Sequence, residues 1–180
     1  RATVEALPVY LKDFSYGHLR YAFVRSAQTG KFGDFKFGDT FAFCDVTNYF
    51  IDRFMDADFY AIKCTYGGTS IAPGATDPGK PVWYVGKEWL RKNKAHSDAH
   101  GGMSLALSLT EGFAKCAGTT LSKLPDGYDV KAIMWHQGES DCTKAGDYYL
   151  NFKEMITFMR ERIYAVTGKE KDKTLPFIFG

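Results

Sequence analysis

The stretch Asp129-Val130-Lys131-Ala132-Ile133-Met134-Trp135-His136-Gln137-Gly138-Glu139-Ser140-Asp141 decides how this chain is read. Its first half, 129–135, has the composition of a buried strand. Its second half is a polar turn built around one glycine, and an amphipathic pattern starts just beyond it, near Tyr148. A strand, a polar turn and a helix in that order are the arrangement in which open α/β sheets carry their chemistry, outside the carboxyl ends of the strands. Gln, Glu, Ser and Asp crowded around a glycine are costly to desolvate unless each has a partner or a task. The turn is therefore a candidate site.

Working outward toward the C-terminus, Tyr149, Phe152, Ile156, Met159, Ile163 and Val166 recur at spacings of three and four, which predicts a helix with one apolar stripe. Gly168 suits its C-terminal cap. Lys169 to Lys173 reads as a solvated connection, and Leu175 to Phe179 as a last strand.

Toward the N-terminus, Pro125-Asp126-Gly127 marks a turn, and Gly101 to Ala117 a helix with Leu105, Leu109 and Phe113 on one stripe. Trp83 to Leu90 reads as a short helix or a cleft wall, and the Pro- and Gly-rich 72–81 as a loop. Phe59 to Cys64 reads as a strand that empties into the tight turn Tyr66-Gly67-Gly68-Thr69-Ser70. Before it, Asp39 or Thr40 caps a helix carrying Phe43, Val46, Phe50, Ile51 and Phe54. Pro8 to Leu11 suggests a short strand. Ser26 to Gly38 reads as an irregular loop whose Phe32, Phe35 and Phe37 either line a cleft or pack the loop. Helices alternating with strands predict an α/β fold with a parallel sheet covered on both faces. No change of composition, repeat or low-complexity segment divides residues 1–180, so a single domain is expected.

Bulk properties narrow the classes of function. A formal charge of +2 gives no argument for nucleic acid or an anionic membrane as partner. No apolar run reaches membrane-spanning length. Cys44, Cys64, Cys116 and Cys142 form no Cys-x-x-Cys pair and read as free thiols, with Cys142 notable for its place beside the polar turn. His96, Asp98 and His100 are spaced like metal ligands but lack a third ligand in register, so neither a metal nor another cofactor is expected. The basic run Lys87, Arg91, Lys92 and Lys94 reads as a solvated face in preference to an anionic-ligand site.

In a parallel sheet the loops after successive strands gather along one edge, which brings 66–70 and 136–141 together. One offers backbone N–H groups on glycines, and the other the neutral amide of Gln137. Neutral donors converging on one point stabilise the negative oxygen of a tetrahedral acyl-transfer intermediate.

Gly67-Gly68-Thr69-Ser70-Ile71 followed by Trp135-His136-Gln137-Gly138-Glu139-Ser140-Asp141 resembles the sialate O-acetylesterase and acetylxylan esterase branch of the SGNH hydrolases, a family of carbohydrate esterases. The resemblance covers most of residues 39 to 180. It implies a three-layer αβα, flavodoxin-like SGNH-hydrolase fold with a parallel central sheet. It also implies an acetylated carbohydrate substrate and, by family habit, an extracellular or periplasmic location. On this resemblance the Gly67 N–H and the Gln137 amide form the oxyanion hole. Gly68 supports the turn, and Glu139 holds the loop by hydrogen bonds.

The family's nucleophile lies in a Gly-Gln-Ser-Asn turn near the N-terminus and its base in an Asp-x-x-His near the C-terminus. Neither string occurs in these 180 residues. Residues 1–5 resemble the family's segment just downstream of the nucleophile turn, so the expectation is a central segment incompletely represented at both ends. Two other readings stay open. One is a non-catalytic carbohydrate-binding relative of the same fold. The other is a flavodoxin-like nucleotide or phosphate binder, for which Gly67-Gly68 without a following Lys is a poor phosphate cradle. Left to themselves, Glu139 and Asp141 also suit the first turn of a helix simply as carboxylates near its positive end.

Overall fold

The structure, a computed structural model, describes residues 2–3, 14–27, 29–35, 40–77, 79–100, 108–125 and 127–180. It divides into two units, the first formed by Arg1–Ala27 with Lys31–Lys63 and the second by Gln28–Gly30 with Cys64–Gly180. The expected strand at Pro8 to Leu11, Phe37, and residues 101–107 with Leu105 lie outside the described residues.

In the first unit, β1 (Ala2–Thr3) pairs antiparallel with β3 (Thr40–Phe41), while β2 (Leu19–Phe23) pairs in parallel with β4 (Phe59–Lys63) from Leu19↔Phe59 to Phe23↔Lys63. The short α1 (Val24–Ala27) follows β2, and α2 (Phe43–Phe54) connects β3 to β4. The segment read as an irregular loop begins in the last two residues of this short helix and forms a bridge from Gly33 to Tyr21. Phe35 is buried edge-on against Tyr16 and Tyr21, and Phe32 meets Tyr60, so both pack the loop rather than a cleft.

The inward face of α2 is not the one its apolar spacing predicts. Asp45, Asn48, Tyr49 and Asp52 are buried, whereas Phe43, Phe50 and Phe54 are exposed. Backbone satisfaction explains the inversion. The Asp52 carboxylate accepts three consecutive N–H groups at the entry to β2, from Gly17 at 3.1 Å, His18 at 2.9 Å and Leu19 at 2.8 Å. Asp45 accepts the Ala42 N–H at 2.8 Å, closing the helix start, and pairs with Lys63 at 3.1 Å. Buried N–H groups demand acceptors, and these two acids supply them. The helix starts after Ala42, while Thr40, expected as a cap, belongs to β3.

In the second unit, α3 (Lys87–His100) and α4 (Leu109–Leu121) precede β5 (Ile133–Trp135). A 3-10 turn, Glu139–Lys144, then leads into α5 (Ala145–Thr167), and a second, Glu170–Thr174, precedes β6 (Phe177–Phe179). Strands β5 and β6 pair in parallel, from Ile133↔Phe177 to Trp135↔Phe179, with α5 as their crossover. Helix α5 buries Phe152, Met155, Met159 and Ile163 but leaves Tyr149 and Val166 exposed, so its stripe runs through Met155 rather than out to the ends expected. It lies close to α4, where a Cβ on Gly118 would come within 3.2 Å of Val166. Gly168 takes the left-handed conformation at φ 65° and caps α5 as the sequence predicts. Ile163, Leu121 and Leu175 form a buried cluster against which Leu124, Tyr128, Val130 and Ile133 pack.

Strand 129–135 shortens to its last three residues because its partner spans only Phe177–Phe179. Asp129 instead takes ion pairs from Lys169 at 3.0 Å and Lys171 at 2.6 Å. The connection expected to be merely solvated is thus tied down, and within it Asp172 is fully buried. Among the described residues the chain mixes helix and strand, with α3 and α4 consecutive, and its strands form three two-stranded sheets, two of them parallel, rather than the one parallel sheet expected.

Among the described residues no helix is long and apolar enough to cross a membrane, and no group of His, Cys, Asp and Glu could hold a metal ion. His96, Asp98 and His100 sit in the C-terminal half of α3, with side chains outside the described set. No disulfide joins the four cysteines, of which Cys116 is buried and Cys142 exposed.

Candidate functional site

The site assembles within the second unit from three backbone segments. The turn after Cys64 reverses at Gly67 and Gly68, with Gly68 at φ +68°, a conformation that a residue with a Cβ adopts only at a cost. Thr69 closes the turn by donating its hydroxyl to the Tyr66 carbonyl at 2.9 Å and accepting the Trp83 indole N–H at 3.1 Å. The chain beyond is pinned to 82–84, where the Trp83 N–H reaches the Ser70 carbonyl at 2.9 Å. That segment is in turn pinned to the start of α4, since the Thr110 hydroxyl donates to the Trp83 carbonyl at 2.6 Å and the Ser108 hydroxyl to the Tyr84 carbonyl at 3.1 Å. Trp83 packs edge-on against Trp135 at 4.9 Å, so the strand that carries the polar turn shares this core.

Asp141 joins the two polar turns. Only 2% exposed, its carboxylate accepts the Ile71 N–H at 2.9 Å, the Ala72 N–H at 2.9 Å and the Gln137 amide at 2.6 Å. Three donors from two segments about 70 positions apart in sequence replace the water a buried carboxylate would otherwise need. Gln137 completes the bridge, its amide nitrogen donating to the Thr69 carbonyl at 3.0 Å as well as to Asp141. The Tyr148 hydroxyl donates to the Gln137 carbonyl at 2.9 Å and lies 3.5 Å from its side-chain oxygen. The two acceptors, the Thr69 carbonyl and the Asp141 carboxylate, settle which end of the amide is the nitrogen. Burial, with the charges of Asp141 and Glu139 adding to it, pushes the Tyr148 phenol above its ordinary pKa.

Of the residues the sequence singles out, Gly67, Gly68 and Gln137 come together at one end of this unit, joined through Thr69. The N–H groups of Gly67 and Gly68 make no hydrogen bond with the described residues, and the turn is exposed. Both Gln137 amide hydrogens, by contrast, are engaged within the protein. Glu139 does not hold the loop. Its side chain is 78% exposed, with His136 at 4.0 Å as its neighbour, and the task falls to Asp141 two positions on. The 3-10 turn explains the exchange, because it points residue 141 inward and residue 139 to solvent. Ser70 is fully buried and donates its hydroxyl to the Ala72 carbonyl at 2.8 Å, which suits a structural serine rather than a nucleophile.

Two residues of the site were not marked as such by sequence reasoning. Asp141 belongs to the quoted motif, and its acid-after-glycine position was legible, but not its partners 70 positions away. Tyr148 left no signal beyond its place one residue before the apolar stripe of α5.

Residues 97–180 match the family described as carbohydrate esterase, sialic acid-specific acetylesterase. The match takes in β5, the Gln137 loop and α5, and so bears out over that span the resemblance carried by the motifs. The glycine turn at 66–70 lies outside it. Neither the curated proteins nor the solved structures contain a match to the chain.

Proposed function

Starting from a chain whose residues 97–180 match the sialic acid-specific acetylesterases, a family of carbohydrate esterases, we propose that it forms the oxyanion-binding part of a carbohydrate O-acetylesterase acting on sialate- or xylan-type esters. The observation that carries this reading is the bridge from Gln137 to the Thr69 carbonyl, which sets a neutral amide beside the glycine turn across 68 positions of sequence. On this proposal the complete domain has a three-layer αβα SGNH fold.

Chemically, a serine attacking an acetyl carbonyl breaks the carbonyl π bond and places negative charge on its oxygen. A histidine takes the serine proton and delivers it to the departing sugar oxygen, leaving the acetyl group on the serine; water, giving a proton to the same histidine, then releases the acetyl group as acetate and the serine recovers its proton. The loops of this chain receive the charge. The Gly67 N–H is unengaged by the described residues and open to solvent. The Gln137 amide supplies a second donor by exchanging one acceptor. Its 2.6 Å bond to the Asp141 carboxylate is charge-assisted and stays, while the 3.0 Å bond to the neutral Thr69 carbonyl is the one given up. A neutral bond of that kind is worth about 0.5–1.5 kcal/mol net. A donor aimed at the developing oxyanion is worth about 2.7–4 kcal/mol, so the exchange favours the transition state. Asp141 keeps the two loops in register throughout, and its carboxylate, which only accepts, keeps the amide from flipping.

Neither Gly-Gln-Ser-Asn nor Asp-x-x-His occurs in the 180 residues, so the serine, histidine and aspartate of this reaction stand outside them in this reading. The test is acetate release by the full-length protein from O-acetylated sialic acid and from acetylated xylo-oligosaccharides. Release from either supports the esterase. Binding of the deacetylated sugars without release from any acetylated one would instead support the non-catalytic carbohydrate-binding relative.

A further inference from the structure

Beside the Asp141 anchor the second unit opens into a groove of about 810 Å³ whose wall includes Ala72, the residue whose N–H Asp141 accepts. A smaller hollow of about 160 Å³ continues it along the 73–82 loop, and Pro73 and Trp89 line both. The larger of the two falls within the size range of clefts that hold small ligands, about 300–1,000 Å³, and the smaller falls below it.

The lining combines aromatic and apolar residues with charged ones. Trp89 and Tyr84 meet edge to face at 5.9 Å, which fixes the indole, and the Trp89 carbonyl holds the Asn93 amide at 2.8 Å. Leu150, 62% exposed, lines the same groove. Lys87, Lys92 and Lys144 line it too, none with an ion pair among the described residues. The same lining holds Glu88, already paired with Arg91 at 2.9 Å, and Asp147. Among the described residues three unpaired ammonium groups against one unpaired carboxylate leave the lining with an excess of positive charge.

We propose that this groove is a glycan subsite for a carboxylated oligosaccharide, whose sugar rings stack on Trp89 while their carboxylates meet Lys87, Lys92 and Lys144. The proposal rests on the esterase reading only for its purpose, which is to hold the units flanking the acetylated sugar. An aromatic ring presents a flat apolar body to the C–H face of a sugar, and ammonium groups on flexible stems suit carboxylates spaced along a polymer. A neutral glycan leaves the ammonium groups unused. A single acidic sugar leaves most of the groove empty.

The test is binding to non-acetylated oligosaccharides, which reads the groove without any ester hydrolysis, so its failure and that of the esterase reading are separable. Titration calorimetry and tryptophan fluorescence compare oligogalacturonates of one to six units with neutral xylo-oligosaccharides of equal length. Affinity should rise with chain length, exceed that for the neutral series, and fall with added salt. Trp89→Ala and, separately, the exposed Lys92→Glu should each weaken binding about tenfold while the thermal midpoint of the Lys92 variant stays unchanged. Equal affinity for neutral and carboxylated series, no gain beyond one unit, or no effect of Lys92→Glu would overturn the assignment.

Discussion

Replacing Asp141 by alanine removes the acceptor shared by the Ile71 N–H, the Ala72 N–H and one hydrogen of the Gln137 amide. Each buried donor left without a partner costs about 1–3 kcal/mol, so three set a range of roughly 3–9 kcal/mol. Two effects pull the outcome to the lower end: Gln137 is only partly buried and can turn to water, and the space vacated by the carboxylate admits solvent. The expected loss is about 3–4 kcal/mol, read by urea denaturation followed by far-UV circular dichroism. Asp141→Asn keeps an oxygen for Ile71 and Ala72 but sets an NH2 against a donor and forfeits the charge, so about 1.5–3 kcal/mol is expected. Glu139→Ala, at an exposed side chain, should stay within about 0.5 kcal/mol of the parent. An Asp141→Ala variant less than about 1 kcal/mol destabilised, or a Glu139 variant equally affected, would refute the assignment of the anchoring role.

Other expectations come from the same geometry. Gly68→Ala places a Cβ at φ +68° in otherwise open space, so only backbone strain is paid, about 1–2 kcal/mol; Gly67→Ala, with no such φ and no neighbour within 4 Å, should be near neutral in denaturation. Partial burial raises the half-buried Cys64 thiol well above its ordinary pKa and Cys116 is fully buried, so a thiol reagent at mildly alkaline pH should modify exposed Cys142 first, Cys64 more slowly and Cys116 only on unfolding, as peptide mapping would show. Asp129, hydrogen-bonded by Lys171 and Lys169, is held below the usual carboxylate range. Its contribution is therefore present above the unfolded value of about 3.9 and lost as pH falls through the lowered folded value, so Asp129→Asn should destabilise at neutral pH, less so in high salt, and cease to matter in strong acid.

What could be read from residue order was local. The αL glycine after α5, strand β4 before the glycine turn, and the helix carrying Phe152, Met159 and Ile163 all depend on neighbours within a turn or two. What could not be read depends on partners far along the chain. Helix α2 is the clearest case: periodicity pointed Phe43, Phe50 and Phe54 inward, yet the inner face belongs to Asp45 and Asp52, because N–H groups some 33–35 positions away from Asp52 need its oxygens. The site repeats the lesson. Two acids flank Ser140 in the motif, and composition treats them alike. The 3-10 turn sends Asp141 toward Ile71 and Ala72 and Glu139 toward water. Gln137 and the glycine turn could be paired from the strand-turn pattern, but not the Thr69 carbonyl and Asp141 carboxylate that hold the amide.

The central claim is that the Gln137 amide stabilises charge on an acyl oxygen, and it is tested most directly by the kcat of Gln137→Ala in the full-length protein on an activated acetyl ester, measured well below the variant's unfolding midpoint. The account predicts a kcat lower by about 100- to 1,000-fold with KM little changed. A kcat equal to that of the parent, in a variant shown to be folded, would contradict it.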